Sequence, residues 1–161
     1  MEKVSAEFKS SSQPIVKVIV SCRGKNSLNN ALAVAYCYNC SYDPPMVMVG
    51  IVPSRHSHHM IKESGCLVVN LVTDDNKELF DYVGSNSGRD VDKFKEANIK
   101  HSEGATVNAP VLVDCPVNIE CTVENSIITG SHEMFACKIE YVHAQKELLN
   151  EDGTVDLSKS Y

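Results

Sequence analysis

Prolines at positions 44, 45 and 53 enclose the apolar run Met46-Val47-Met48-Val49-Gly50-Ile51-Val52, and this enclosure constrains the chain more than any other local feature. Proline gives no N–H to a ladder and fixes φ, so the enclosed residues form one short strand and not part of a longer element. Beyond Pro53 the sequence turns polar and basic, as Ser54-Arg55-His56-Ser57-His58-His59. His58 to Glu63 can wind as a helix, with Ser57 or Ser54 as N-cap and Gly65 as its stop. A helix start presents unpaired amides and the positive end of the dipole. Ser54 and Ser57 add hydroxyls and Arg55 adds a fork of donors, a set that suits a phosphate.

The surrounding composition makes that anion site local. A chain of 161 residues with 43% hydrophobic residues builds one ordinary domain with a real core. Its formal net charge of −6 argues against a general nucleic-acid or anionic-membrane surface. No secretory pattern is evident and no apolar run approaches the roughly 20 residues of a membrane span, so a cytoplasmic protein is expected. The seven cysteines lie mostly in apolar runs and read as reduced core residues. Cys37 and Cys40 form a single C-x-x-C at a strand end, where core packing is a better account than zinc or thiol redox chemistry. His56, His58 and His59 have no acidic or cysteine partner at a diagnostic spacing, and no metal site is expected.

Residues 1–13 read as a flexible polar arm, 14–144 as one domain and 145–161 as a polar tail. A strand is expected over Ile15–Cys22, a turn over Gly24–Asn30 and a second strand over Ala31–Tyr38, followed by a loop over Asn39–Asp43. Cys66–Val72 reads as a buried strand whose Asn70 amide needs partners. Thr73 or Asp74 can cap a helix over Asn76–Val83 ended by Gly84, and Ser85–Gly88 feeds a further helix over Arg89–Ala97. Ile99–Asn108 reads as a polar connection. Val117–Glu124 alternates at period two, and a turn at Thr129–Ser131 returns the chain as a hairpin through Met134–Val142. Strands number at least six, helices are short, and connections are mostly too short for repeated parallel crossovers. The economical architecture is mainly β, an antiparallel barrel with short helices.

Several ordered pieces, among them Asn30-Ala31-Leu32-Ala33, Asp43-Pro44-Pro45-Met46, Pro53-Ser54-Arg55-His56-Ser57, Val69-Asn70-Leu71, Gly88-Arg89-Asp90-Val91-Asp92-Lys93-Phe94 and Gly130-Ser131-His132, resemble the flavin reductase-like family and its flavoredoxin-type members. The resemblance implies a six-stranded antiparallel split β-barrel, homodimeric, with FMN held non-covalently near the interface. It places the phosphate on Ser54, Arg55 and Ser57 with His58 close behind, the isoalloxazine ring along Asn30, Ala31, Leu32 and Ala33, and a second polar loop on Ser87 and Lys93. It places His132 on the substrate side of the flavin, as a hydrogen-bonding group or proton donor; read from the residues alone, His132 is a surface turn histidine. Lys93 likewise reads as a helix-face charge paired with Glu96 or Asp90. NADH or NADPH is the implied donor, or else a redox protein partner, as in an electron carrier.

Overall fold

The computed structural model describes residues 1–8 and 12–159; the rest of the expected arm (9–11) and tail (160–161) lies outside the described residues. The strands in chain order are β1 (Val18–Arg23), β2 (Asn29–Val34), β3 (Cys37–Tyr42), β4 (Pro45–Ile51), β5 (Cys66–Leu71), β6 (His101–Glu103), β7 (Pro110–Leu112), β8 (Val117–Thr129) and β9 (His132–Ala144). The helices are α1 (His56–Ser64), α2 (Lys77–Ser85) and α3 (Lys93–Glu96).

Seven strands make one antiparallel sheet in the order β2-β1-β5-β8-β9-β4-β3, in keeping with the expected minimum of six and one more than the resemblance implies, and β6 pairs with β7 separately. The outermost strands β2 and β3 are joined by only Ala35 and Tyr36. Two strands at opposite ends of a sheet can be two residues apart only if the sheet curls round on itself, and the result is a split barrel. The β3–β4 ladder runs one residue further into the corner, where Gly50 N–H of β4 donates to the Tyr36 carbonyl at 2.8 Å.

Period-two alternation sorts the barrel walls into two packed faces. On β1, Val18, Val20 and Cys22 face the barrel interior with Val47, Val49, Leu67, Val69 and Phe135. Ile19 points outward into a second cluster with Ala31, Val72, Val83, Phe94 and Leu112, beneath α2 and α3. Both faces are covered, so β1 and β5 read as nearly unbroken apolar runs. Asn70, the polar residue in β5, is fully buried and satisfied. Its amide donates to the Ile19 carbonyl at 2.9 Å and to Ser21 Oγ at 3.0 Å, and its Oδ1 accepts from Asn118 Nδ2 at 2.8 Å.

Several expected elements take different bounds. Ile15 and Val16 stand before β1 and are exposed, because the β2 and β5 ladders begin pairing only at Val18. The apolar stretch Ala31–Tyr38 is broken at the barrel corner, and Asn39–Tyr42 continue β3 instead of looping. They pair with β4 through a bulge at Cys40, keeping polar side chains outside. The Arg89–Ala97 helix contracts to α3, since the Ser87 carbonyl accepts from Asp90 and Val91 in a tight turn and Asp92 Oδ1 then caps Lys95 N–H at 3.1 Å. Part of the Ile99–Asn108 connection is strand β6. Thr73 heads a single 3-10 turn over Asp74–Asn76, where its N–H donates to Asn76 Oδ1 at 2.7 Å; the N-cap of α2 is Asn76 instead of Thr73 or Asp74, and α2 runs through Gly84 to Ser85. Past Ala144, Leu148 is buried in the barrel core.

Candidate functional site

The loop between β4 and α1 takes its form from the Pro53 interruption. Arg55 N–H donates to the Val52 carbonyl at 2.9 Å, and the Arg55 carbonyl accepts from His58 N–H at 3.0 Å. Arg55 is itself the extended N-cap residue, and no side chain caps α1, so neither Ser54 nor Ser57 has the expected capping role. Gly65 stops the helix at φ +70°, as expected. Ser57 turns inward instead. It is 1% exposed, and its hydroxyl accepts from Asn30 Nδ2 at 2.7 Å, which ties the start of α1 to β2.

Across from this loop lies the segment after α2. Asn86 Nδ2 donates to the Tyr82 carbonyl at 2.9 Å, and Ser87 Oγ accepts from Arg89 N–H at 3.2 Å. Gly88 is needed here, because a Cβ would lie 2.5 Å from His56 Cδ2 and 2.8 Å from Asn30 Oδ1. Lys93 closes the floor. Its ammonium is buried and donates to the carbonyls of Ala31 at 2.7 Å and Val83 at 2.8 Å. It is therefore no helix-face charge paired with Glu96 or Asp90.

These parts enclose a cleft of about 340 Å³. The structure brings Asn30, Leu32, Ala33, Ser54, Arg55, Ser57, Ser87 and Lys93 to its walls, together with His56, Val83, Gly84, Asn86, Gly88 and Arg89. None of the described lining residues is acidic, and Arg55, Arg89 and Lys93 supply three cations. Burial pushes the Lys93 ammonium down to about 8, with Arg55 adding to the fall and Cys22 opposing it. Burial also lowers the His56 pKa, helped by His59, Arg89 and Lys93. The Cys22 thiol next to Ser57 is raised by burial to about 12 and is inert at neutral pH. A second cleft of about 530 Å³ adjoins the first and shares Asn30, His56, Gly88 and Arg89 with it.

Three residues singled out in the sequence do not line either cleft. Ala31 is fully buried and contributes only its carbonyl to Lys93. His58 turns away toward β9, where its Nε2 is 2.5 Å from Glu133 Oε2 and its ring packs on Phe135 at 5.7 Å. His132 stands at the start of β9, edge-on to Tyr36 at 4.6 Å, with Nδ1 2.7 Å from Ser131 Oγ. Burial and then Arg55 lower its pKa. Arg89, Asn86 and His56 were not anticipated as lining residues. A guanidinium directly after Gly88 in a turn-forming loop was the available signal for Arg89.

Residues 11–158 match the flavin reductase like domain family. The chain belongs to this family. The flavoredoxin of Desulfovibrio vulgaris (Miyazaki F) superposes with a TM-score of 0.89 at 25% identity, covering 98% of this chain and 85% of that one. An FMN-binding protein from Thermus thermophilus gives a TM-score of 0.82 at 25% identity, over 96% and 86% of the two chains. Among curated relatives, an FMN reductase (NADH) RutF from Acinetobacter baylyi is 28% identical over 79% of this chain and 65% of its own length. An uncharacterized protein from Aeropyrum pernix is 24% identical over 81% of this chain, which spans 49% of that relative. The split barrel of flavin reductases is thus the fold, and family and neighbours together support FMN binding and a flavin reductase kind of activity. The hydroxyls and the three cations of the cleft match the phosphomonoester of FMN in kind. No helix among the described residues is long and apolar enough to cross a membrane.

Proposed function

We propose that the protein is an FMN-dependent oxidoreductase that passes electrons from reduced nicotinamide or another donor, through FMN, to an acceptor. One observation carries this reading: in a chain of net charge −6, three cations and no acid line the cleft. A phosphomonoester brings about −1.5 to −2 charges near neutral pH, and a guanidinium with hydroxyls at a helix start is its natural partner. The flavin, when bound, supplies the redox chemistry.

The chain's own residues bind and orient. Arg55 and Ser54 take the phosphate, with Arg89 and Ser87 facing them from the opposite loop. Asn30 holds Ser57 and so fixes the start of α1 against β2. Leu32 and Ala33 give a low wall for the ring, and the small side chain of Ala33 lets ligand atoms approach the backbone. Lys93 holds a positive charge under the cleft and clamps β2 to α2 through the Ala31 and Val83 carbonyls. His132, beside Arg55 on β9, is the group we assign to the substrate side, where it can hydrogen-bond the donor. We take the protein to act in the cytoplasm as a homodimer with FMN near its interface.

Titration with FMN and with riboflavin tests the reading. Arg55→Ala should weaken FMN by on the order of tenfold to a hundredfold, the worth of a charged hydrogen bond, and leave riboflavin nearly unchanged. Equal losses for both ligands, or no binding of FMN by the wild-type protein, would refute it. The likeness to flavoredoxin favours a second reading, an electron carrier that serves protein partners without turning over nicotinamide. Steady-state oxidation of NADH and NADPH by the FMN-loaded protein separates the two.

A further inference from the structure

We propose that Glu133, acting through His58, is a positioning residue that sets the Arg55 loop for the FMN phosphate; the inference rests on the FMN reading above. The start of α1 has no side-chain cap of its own, so its first turn must be held from outside. One clamp is Asn30 on Ser57, from β2. The other comes from β9, where Glu133 is 5% exposed and accepts from three directions: Ser126 Oγ at 2.6 Å, Lys62 Nζ at 2.9 Å and His58 Nε2 at 2.5 Å.

His58 and Lys62 are one helical turn apart on the same face of α1, so the carboxylate grips the helix at two successive levels. Ser126 belongs to β8, and its hydroxyl fixes the direction of the Glu133 carboxylate within the β8–β9 hairpin. The link to the phosphate loop is short, because His58 N–H donates to the Arg55 carbonyl. Glu133 also follows His132 directly, so one buried carboxylate sets the spacing between the Arg55 loop and the strand that carries His132. A buried carboxylate is costly to desolvate and seldom the cheapest way to hold a helix on a sheet, where apolar packing would serve. Its three directional bonds do what apolar packing does not, fixing the azimuth of α1 and with it the aim of Arg55.

The test compares FMN and riboflavin dissociation constants for wild type, Glu133→Gln, His58→Phe and the double variant, with the melting temperature of each ligand-free protein. Glutamine keeps the shape but not the charge, and phenylalanine keeps the packing on Phe135, so both variants are built to fold. Glu133→Gln should weaken FMN about tenfold and riboflavin by less than about twofold, on the scale of outer-shell partners that orient metal ligands. The double variant should be no worse than the worse single, because both act along one route. A purely structural role would lower the melting temperature and weaken both ligands alike, which overturns the proposal, as does an unchanged FMN-to-riboflavin ratio. If Arg55→Ala shifts that ratio and Glu133→Gln does not, the inference alone fails. If neither shifts it, the phosphate reading fails as well.

Discussion

At the scale of single residues, Lys93 is where burial and function pull in opposite directions. Its ammonium sits under the cleft with two carbonyls as partners, and its pKa falls to about 8 from an ordinary 10.5. Between those values the unfolded chain binds more protons than the folded one, so the Lys93 contribution to stability rises with pH across that window. The cost of holding the charge is fully present below about pH 8. Anion binding runs the other way, because the neutral amine gives the phosphate no charge. FMN affinity should therefore fall relative to riboflavin affinity as pH rises above about 8, and Lys93→Met should be weaker at neutral pH and flat across the window. Fluorescence titrations at several pH values read both slopes, and a wild-type FMN curve parallel to that of riboflavin would remove Lys93 from phosphate binding. In the sequence Lys93 sits within Asp92-Lys93-Phe94-Lys95-Glu96, where every local cue marks an exposed helix face. Only the long-range packing of α3 on β2 turns it inward.

At the scale of elements, the two loops that face each other across the cleft depend on Gly88 for their approach. A methyl group there would meet the His56 ring and the Asn30 amide at distances no real Cβ occupies, so in Gly88→Ala the 86–89 loop must back away. Overpacking of this kind costs about 1 kcal/mol or more. A surface loop can yield, so the cost should appear as lost FMN affinity of about tenfold with a nearly unchanged melting temperature. A drop in melting temperature with FMN affinity intact would show that the loop's closeness serves stability instead. The same elements show what local sequence encodes. The Gly65 stop, the buried β5 and the Gly130 hairpin turn are local chemistry, and they stand where composition and periodicity put them; the proline-fenced strand also forms, one residue earlier than expected, from Pro45 to Ile51. The corner at Ala35-Tyr36 is not legible, because nothing in an alanine-rich apolar run marks where a sheet must close. Nor is β3 beyond Tyr38, where Asn39, Cys40 and Ser41 look like a loop and become a strand only because β4 offers its edge. The site follows the same division. Arg55 and Ser54 announce themselves at a helix start, whereas His56, Asn86 and Arg89 enter the cleft through a meeting of loops some thirty positions apart. His58 looked like part of the loop's anion set, and its partner Glu133 lies 75 residues away.

At the scale of the whole molecule, the question is what covers the far end of the β8–β9 hairpin. β5 pairs with β8 only as far as Thr122, so from Val123 onward the outer edge of β8 has no strand beside it among the described residues. Successive side chains on a strand point to opposite faces. Ile127 and Ile128 are consecutive and 60% and 61% exposed, so the hairpin end carries apolar groups on both faces beside an open edge. Soluble proteins rarely leave such a combination bare, since it invites pairing with another chain. We propose a second copy of this chain as the simplest cover: hairpins from two copies would pair about a twofold axis and each would bury both isoleucines. The hairpin also carries His132 and Glu133 at its turn, next to the Arg55 loop, so such a contact would bring the second copy close to the cleft. Sedimentation velocity should then give a species of twice the 17.7 kDa chain mass. Ile128→Lys should shift it to a monomer, because a lysine facing a desolvated interface is far costlier than one facing water. If FMN sits near the interface, the monomeric variant should also bind FMN more weakly, although Ile128 lines neither cleft. A wild-type monomer would leave the hairpin without a role in assembly. A dimer that survives Ile128→Lys would move the interface to another face of the barrel, and FMN affinity unchanged in a true monomer would place the whole cofactor site within one chain.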